Sequence, residues 1–224
     1  MAFGKLWRLS NEKRSRLILA VDEDKALENI EDLLKEIGGL VVGVKLGFPA
    51  AFNLGFNKIK DVISDRRNEF YFLADFKLAD IPYIVNLTLL KLKEVGFDGA
   101  TVHIFQRGLE EALVGNVPEA IGIAAMSHNS PLLDREFIDN LNYAKKVGIE
   151  GLVVGALKED LIAEGKRRGF TIFSPGIGVQ GGKFAQAIKA GADFEIVGRA
   201  ITRAKDPKEV VENVVKAQRE ALKI

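Results

Sequence analysis

The sequence predicts an α/β protein: a single (β/α)8 barrel (TIM barrel) domain over residues 1–224, with a short N-terminal extension at residues 1–15. Three observations predict it. Eight short apolar runs rich in β-branched residues recur along the chain. Their lack of polar alternation suits strands buried on both faces of a parallel sheet. Helix-like amphipathic segments separate them, the pattern of successive βα units. The 224 residues allow about 28 per unit, tight but sufficient for eight, and fit a one-domain barrel.

The elements follow in order. Met1–Ser15 reads as an extra helix at the barrel floor. The first strand is Arg16–Asp22 (RLILAVD), and Lys25–Ile37 after it carries Leu27, Ile30, Leu33, Leu34 and Ile37 at helical spacing. The second strand is Leu40–Gly47 and the third Phe70–Leu78, with a helix over Val85–Val95. The fourth is Gly99–Ile104 and the fifth Ile121–Ser127. A polar loop, Ser127–Arg135, leads to a helix over Phe137–Val147. The sixth and seventh strands are Gly151–Ala156 and Phe170–Ile177, and a helix is expected over Lys183–Ala190. Phe194–Ala200 is the eighth strand, and Asp206–Leu222 closes the chain. A doubly wound open sheet is the alternative. It would usually carry a glycine fingerprint after the first strand, where Asp22-Glu23-Asp24 stands instead.

Composition excludes several function classes. With 32 basic and 31 acidic residues the net charge is +1, which argues against a nucleic-acid partner held by a broad positive field. No cysteine is present, so neither a disulfide framework nor a thiolate zinc site is available. The apolar runs are too short to cross a bilayer, and the N-terminus lacks the apolar core of a secretory signal. A cytoplasmic protein without membrane partners is expected.

Active sites of such barrels lie at the C-terminal strand ends. Asp22 closes the first strand, Lys45 lies near the end of the second, and Asp75 and Lys77 are on the third with Asp80 just beyond. Two residues apart on a strand, Asp75 and Lys77 share a face. Flanking carboxylates favour a protonated lysine, which makes Lys77 a candidate general acid. An ion-pair network that merely plugs the barrel is the competing reading. After the seventh strand, Ser174-Pro175-Gly176-Ile177-Gly178-Val179-Gln180-Gly181-Gly182 exposes backbone N–H groups, and Gly198-Arg199 ends the eighth. Those two loops are a recurrent phosphate site. A flexible turn is the alternative. His103 reads as a satisfied structural residue and His128 as loop support. Neither has a partner at metal-ligand spacing, and no metal is expected. No nucleophile elbow is present.

Ala74-Asp75-Phe76-Lys77-Leu78-Ala79-Asp80-Ile81-Pro82 resembles the D-x-K-x-x-D-I-P signature of the orotidine-5′-monophosphate decarboxylases, most closely the short archaeal type. Leu19–Asp22, Val44–Gly47, Met126-Ser127-His128, Ser174–Gly182 and Ile196–Arg199 match in order, so the resemblance covers nearly the whole chain. It implies a cofactor-free decarboxylation of orotidine 5′-monophosphate, with Lys45, Asp75, Lys77 and Asp80 catalytic. It implies that Asp22 and Lys45 contact the ribose and that Lys77 protonates C6. Ser127 would read the pyrimidine, Gln180 would bridge base and phosphate, and Arg199 would grip the phosphate. Ile81, Pro175, Gly176, Gly181 and Gly198 complete the implied substrate-binding set. Asp80 would cross the interface of a homodimer. Ile84 departs from the family's usual threonine. Metal-dependent relatives, such as hexulose-phosphate synthases, share D-x-K-x-x-D, and a non-catalytic phosphate-binding barrel is a further alternative.

Overall fold

The computed structural model describes residues 2–224; Met1, part of the expected extension, lies outside the described residues. Eight parallel strands close in sequence order: β1 (Leu17–Val21), β2 (Gly43–Gly47), β3 (Tyr71–Leu78), β4 (Gly99–His103), β5 (Glu119–Ala125), β6 (Gly151–Val154), β7 (Thr171–Pro175) and β8 (Phe194–Val197). Closure comes from β1 pairing with β8, Ile18 opposite Ile196. Each expected strand is found, seven of them shorter by one to three residues at their ends, and β5 shifted two residues toward the N-terminus from the expected Ile121–Ser127.

Alternation divides the core into two shells. On β1, Leu17, Leu19 and Val21 face the surrounding helices, while Ile18 and Ala20 face the barrel interior with Leu73, Ile121, Ile123, Phe173 and Ile196. The N-terminal segment belongs to that inner shell. Its helix, Gly4–Lys13, sits at the floor, and Phe3, Leu6 and Leu9 are buried with the interior residues. Phe3 meets Phe173 edge-on at 5.2 Å. Gly151 makes room for it: a Cβ there would lie 2.5 Å from the Phe3 ring. The Phe3 N–H donates to Glu119 Oε1 at 2.5 Å, and Lys13 Nζ donates to three carbonyls, of Gly38, Val41 and Glu69. The floor is thus filled and tied, and open volume remains at the mouth.

Several helices differ from expectation: Leu109–Ala112, Glu159–Arg167 and Arg199–Thr202 are additional, and Pro131–Arg135 forms a helix inside the expected polar loop. The segment Lys25–Ile37 breaks at Asn29 into Asp24–Glu28 and Ile30–Ile37. A 19-residue helix, Phe48–Arg66, kinked at Gly55, follows β2. Its weak apolar stripe and internal glycine hide it from periodicity. The helix expected over Lys183–Ala190 starts only at Gln186, because Ala185 adopts a left-handed conformation (φ 61°).

Candidate active site

The mouth holds a cavity of about 440 Å³. Its charged wall is built from three adjacent strands. Lys45 comes from β2, Asp75 and Lys77 from β3, and Thr101 from β4. Asp75 is the hub. Lys77 Nζ donates to both of its oxygens at 2.8 Å, and Lys45 Nζ lies 2.9 Å from Oδ2. Thr101 Oγ1 donates to Oδ1 at 2.9 Å. Lys45 also reaches Asp22 Oδ2 at 3.4 Å.

A bulge aims these groups. Ala74 pairs with Ala100 and Leu78 with Val102, so Asp75, Phe76 and Lys77 stand opposite Thr101 alone. Lys77 has φ 45°, a left-handed conformation that β-strand residues other than glycine avoid. Its N–H donates to Thr101 Oγ1 at 3.0 Å, pinning the strained residue. Asp75 and Lys77 do share the cavity face, but the bulge, rather than a regular pleat, delivers Lys77 there. Phe76 turns outward against Phe48 and Phe56.

Electrostatics follow from this packing. Burial pushes the Asp75 carboxyl up, but Lys45 and Lys77 outweigh it and hold its pKa well below the usual carboxylate range. Burial alone would lower the Lys45 pKa, yet Asp75 and Asp22 raise it above that of an ordinary lysine. Both groups are therefore charged across the physiological range. Side-chain exposure separates their roles: Lys77 is 37% exposed toward the cavity and Asp75 only 10%.

The opposite wall carries Met126, Ser127, Pro175, Gly176, Val179 and Gln180. Ser127 and Gln180 converge on Gly176, whose buried backbone (φ 103°) leaves space for both: a Cβ there would lie 3.2 Å from Ser127 Cβ and 3.4 Å from Gln180 Oε1. The glycine-rich loop is not an open row of donors, contrary to expectation. Gly178 N–H is bonded to Gly182 O, Gly181 N–H to Gly178 O, and Gly182 N–H to Gly176 O. These bonds fold the loop onto itself. At the far end of the cavity stand Gly198 and Arg199, at the start of the helix Arg199–Thr202, with Arg203 beside them.

Ten of the expected site residues therefore line one cavity: Asp22, Lys45, Asp75, Lys77, Ser127, Pro175, Gly176, Gln180, Gly198 and Arg199. Three do not. Asp80 is exposed past β3, with Oδ1 accepting from Ile81 N–H at 2.7 Å. Ile81 is 62% exposed, and Gly181 lies in the loop beside the cavity. Thr101, Glu23 and Arg203 were missed. A threonine within a strand buried on both faces is the one signal that could have found Thr101. His103 also departs from expectation: among the described residues its Nδ1 has no partner, and its ring packs on Phe105 at 4.9 Å. Burial and nearby Lys77 lower its pKa, with Asp75 opposing. His128 is exposed in the bend after β5. Among the described residues no cluster of three or more His, Asp or Glu side chains could hold a metal ion.

Comparison with known proteins gives a consistent result. A family model described as "Orotidine 5′-phosphate decarboxylase / HUMPS family" matches residues 15–214. The orotidine 5′-phosphate decarboxylase of Saccharolobus solfataricus is 34% identical over 201 residues, 87% of each chain. The crystal structure of the enzyme of that name from Pyrococcus horikoshii superposes with a TM-score of 0.80 at 28% identity, covering 91% of this chain and 99% of its own. That of orotidine 5′-monophosphate decarboxylase from Methanocaldococcus jannaschii, complexed with the inhibitor BMP, gives 0.77 at 27% identity, covering 91% and 98%.

Proposed function

This chain belongs to the orotidine 5′-phosphate decarboxylase / HUMPS family, and on that premise we propose that it is a carboxy-lyase of pyrimidine biosynthesis. It converts orotidine 5′-monophosphate to uridine 5′-monophosphate and carbon dioxide without a cofactor. The observation that carries the reading is the Lys45–Asp75–Lys77 array facing Ser127 and Gln180 across one cavity, with Arg199 at its end.

The chemistry follows from fixed charges. The bond between C6 and the carboxylate breaks, its electron pair stays on C6, and carbon dioxide leaves. The Lys77 ammonium, already positioned by Asp75, stabilises the developing charge and transfers a proton to C6. Lys77 then regains a proton from solvent. Asp22 and Lys45 hold the ribose hydroxyls, and Ser127 reads the pyrimidine amide edge. Gln180 spans base and phosphate, while Pro175, Gly176 and Gly181 shape the loop. Gly198 and Arg199 bind the phosphate, whose binding energy organises the site.

The metal-dependent branch of the family is the second reading. Here Lys45 already lies between Asp75 (2.9 Å) and Asp22 (3.4 Å), filling with an ammonium the space a divalent cation would need. That favours the metal-independent chemistry.

The active unit is a homodimer in this reading, with Asp80 and Ile81 entering the partner's cavity. Support comes from the apolar face around Asp80: Ile81, Tyr83, Leu87, Phe105 and Val114 are exposed on the helix Pro82–Val95 and the segment packed on it. Exposed patches of that kind mark association surfaces. We place the enzyme in the cytoplasm; no helix among the described residues is long and apolar enough to cross a membrane.

Purified protein mixed with orotidine 5′-monophosphate and a chelator tests the proposal. Loss of orotidylate absorbance is expected; no turnover, or turnover only with added Mg²⁺, overturns it. Lys77→Ala is expected to lower kcat by at least about a thousandfold with the fold intact, since it removes both the stabilising charge and the proton.

A further inference from the structure

The far end of the cavity contains a second arginine and a carboxylate that the roles above leave unused. Arg203, at the end of Arg199–Thr202, lines the cavity together with Glu23, the residue after Asp22. Its Nη2 donates to both Glu23 carboxylate oxygens at 2.9 Å. That pair joins the loop after β1 to the loop after β8 across the seam where the barrel closes. Only one nitrogen of the guanidinium is engaged: among the described residues Nε and Nη1 have no acceptor. Those N–H groups carry the permanent positive charge and remain as single donors for phosphate oxygens.

Charge makes Arg203 necessary at this end. Without it, Lys45, Lys77 and Arg199 are balanced by Asp22, Glu23 and Asp75, all lining the same cavity. A neutral cavity gains little from a ligand that carries a carboxylate and a phosphate of about −1.5 to −2. Arg203 brings this one-chain lining to a net +1, which offsets the Asp80 that the proposed dimer adds, and it cancels the carboxylate of Glu23, which would otherwise repel the phosphate. We infer that Arg203 is a second phosphate-binding cation of the site, held through Nη2 on Glu23 and presenting its Nε and Nη1 donors to the 5′-phosphate. This inference rests on the nucleotide reading above.

Calorimetric binding of uridine 5′-monophosphate and of uridine, by wild type, Arg203→Ala and Glu23→Gln, tests it without turnover. Arg203→Ala is expected to weaken the nucleotide by about tenfold or more, the size of a lost charge-assisted hydrogen bond, and to leave uridine unchanged. In turnover the same variant should raise KM with kcat retained at saturation. Glu23→Gln removes a negative charge and should bind the nucleotide as well as wild type or better. If Arg203 only clamped the two loops, Glu23→Gln would reproduce the loss, and that result overturns the inference. So does an Arg203→Ala protein that binds like wild type, or a wild type that binds nucleotide no tighter than nucleoside. Tight nucleotide binding without decarboxylation overturns the decarboxylase reading but leaves the phosphate assignment standing. Thermal melts of each variant establish that the fold is kept.

Discussion

Thr101 shows how much one buried hydroxyl can organise. It accepts from Lys77 N–H and donates to Asp75 Oδ1, so it supports both the strained backbone and the carboxylate hub. Thr101→Val keeps the shape and removes both bonds, leaving a buried N–H unpaired. The expected cost is about 1–3 kcal/mol in chemical denaturation, with a fall in kcat as Lys77 loses its position. The charges at Asp75 and Lys45 also set a pH dependence. Asp75 has its folded-state pKa depressed, so its contribution is present above the unfolded value, about 3.9, and is lost as pH falls below it. Lys45 has its pKa raised, so its contribution is present below about 10.4 and is lost as pH rises through its folded value. The stability gap between wild type and Asp75→Asn should therefore stay level from about pH 5 to 9 and shrink below about pH 4. A gap that changes within that plateau counts against the array being permanently ionised.

At the scale of elements, the β7 loop and the N-terminal helix carry the sharpest expectations. Gly178 has φ 80°, and a Cβ there would stand 2.7 Å from Ala200 Cβ in the helix that begins at Arg199. Gly178→Ala combines a left-handed strain of about 1–2 kcal/mol with a clash against the phosphate end. KM should rise about tenfold while kcat at saturation changes little. The N-terminal helix is a structural plug. Leu6 is fully buried in the inner shell, and Leu6→Ala should cost about 2–5 kcal/mol in denaturant without altering KM. Much of this level was legible in sequence, since the eight strands and the helices Pro82–Val95, Phe137–Lys146 and Pro207–Leu222 emerge from apolar periodicity. Phe48–Arg66 was not, because its kink at Gly55 breaks the stripe that periodicity detects.

For the whole molecule, the proposed homodimer makes the surface around Asp80 an association face. Asp80 and Ile81 sit outside the cavity in one chain, next to the exposed Tyr83, which is 71% accessible. Tyr83→Asp should shift the protein toward monomer in sedimentation and lower activity with it. Mixing Asp80→Asn with Lys77→Ala subunits should restore part of the activity lost in each, because one hybrid site then has both intact residues. Absence of restored activity, with mixed dimers demonstrated, rules out a shared site.

The sequence by itself determined the barrel and the identity of most cavity residues. Burial on both faces dictates continuous apolar strands, and any charge near their ends must lie where the core opens to solvent. It could not determine how the charges meet. The bulge that sets three residues of β3 against Thr101, the internal bonding of Gly178, Gly181 and Gly182, and the Glu23–Arg203 pair across 180 residues all arise between segments distant in the chain. Register, loop closure and pairing depend on which neighbours tertiary packing supplies, and local pattern carries no record of them.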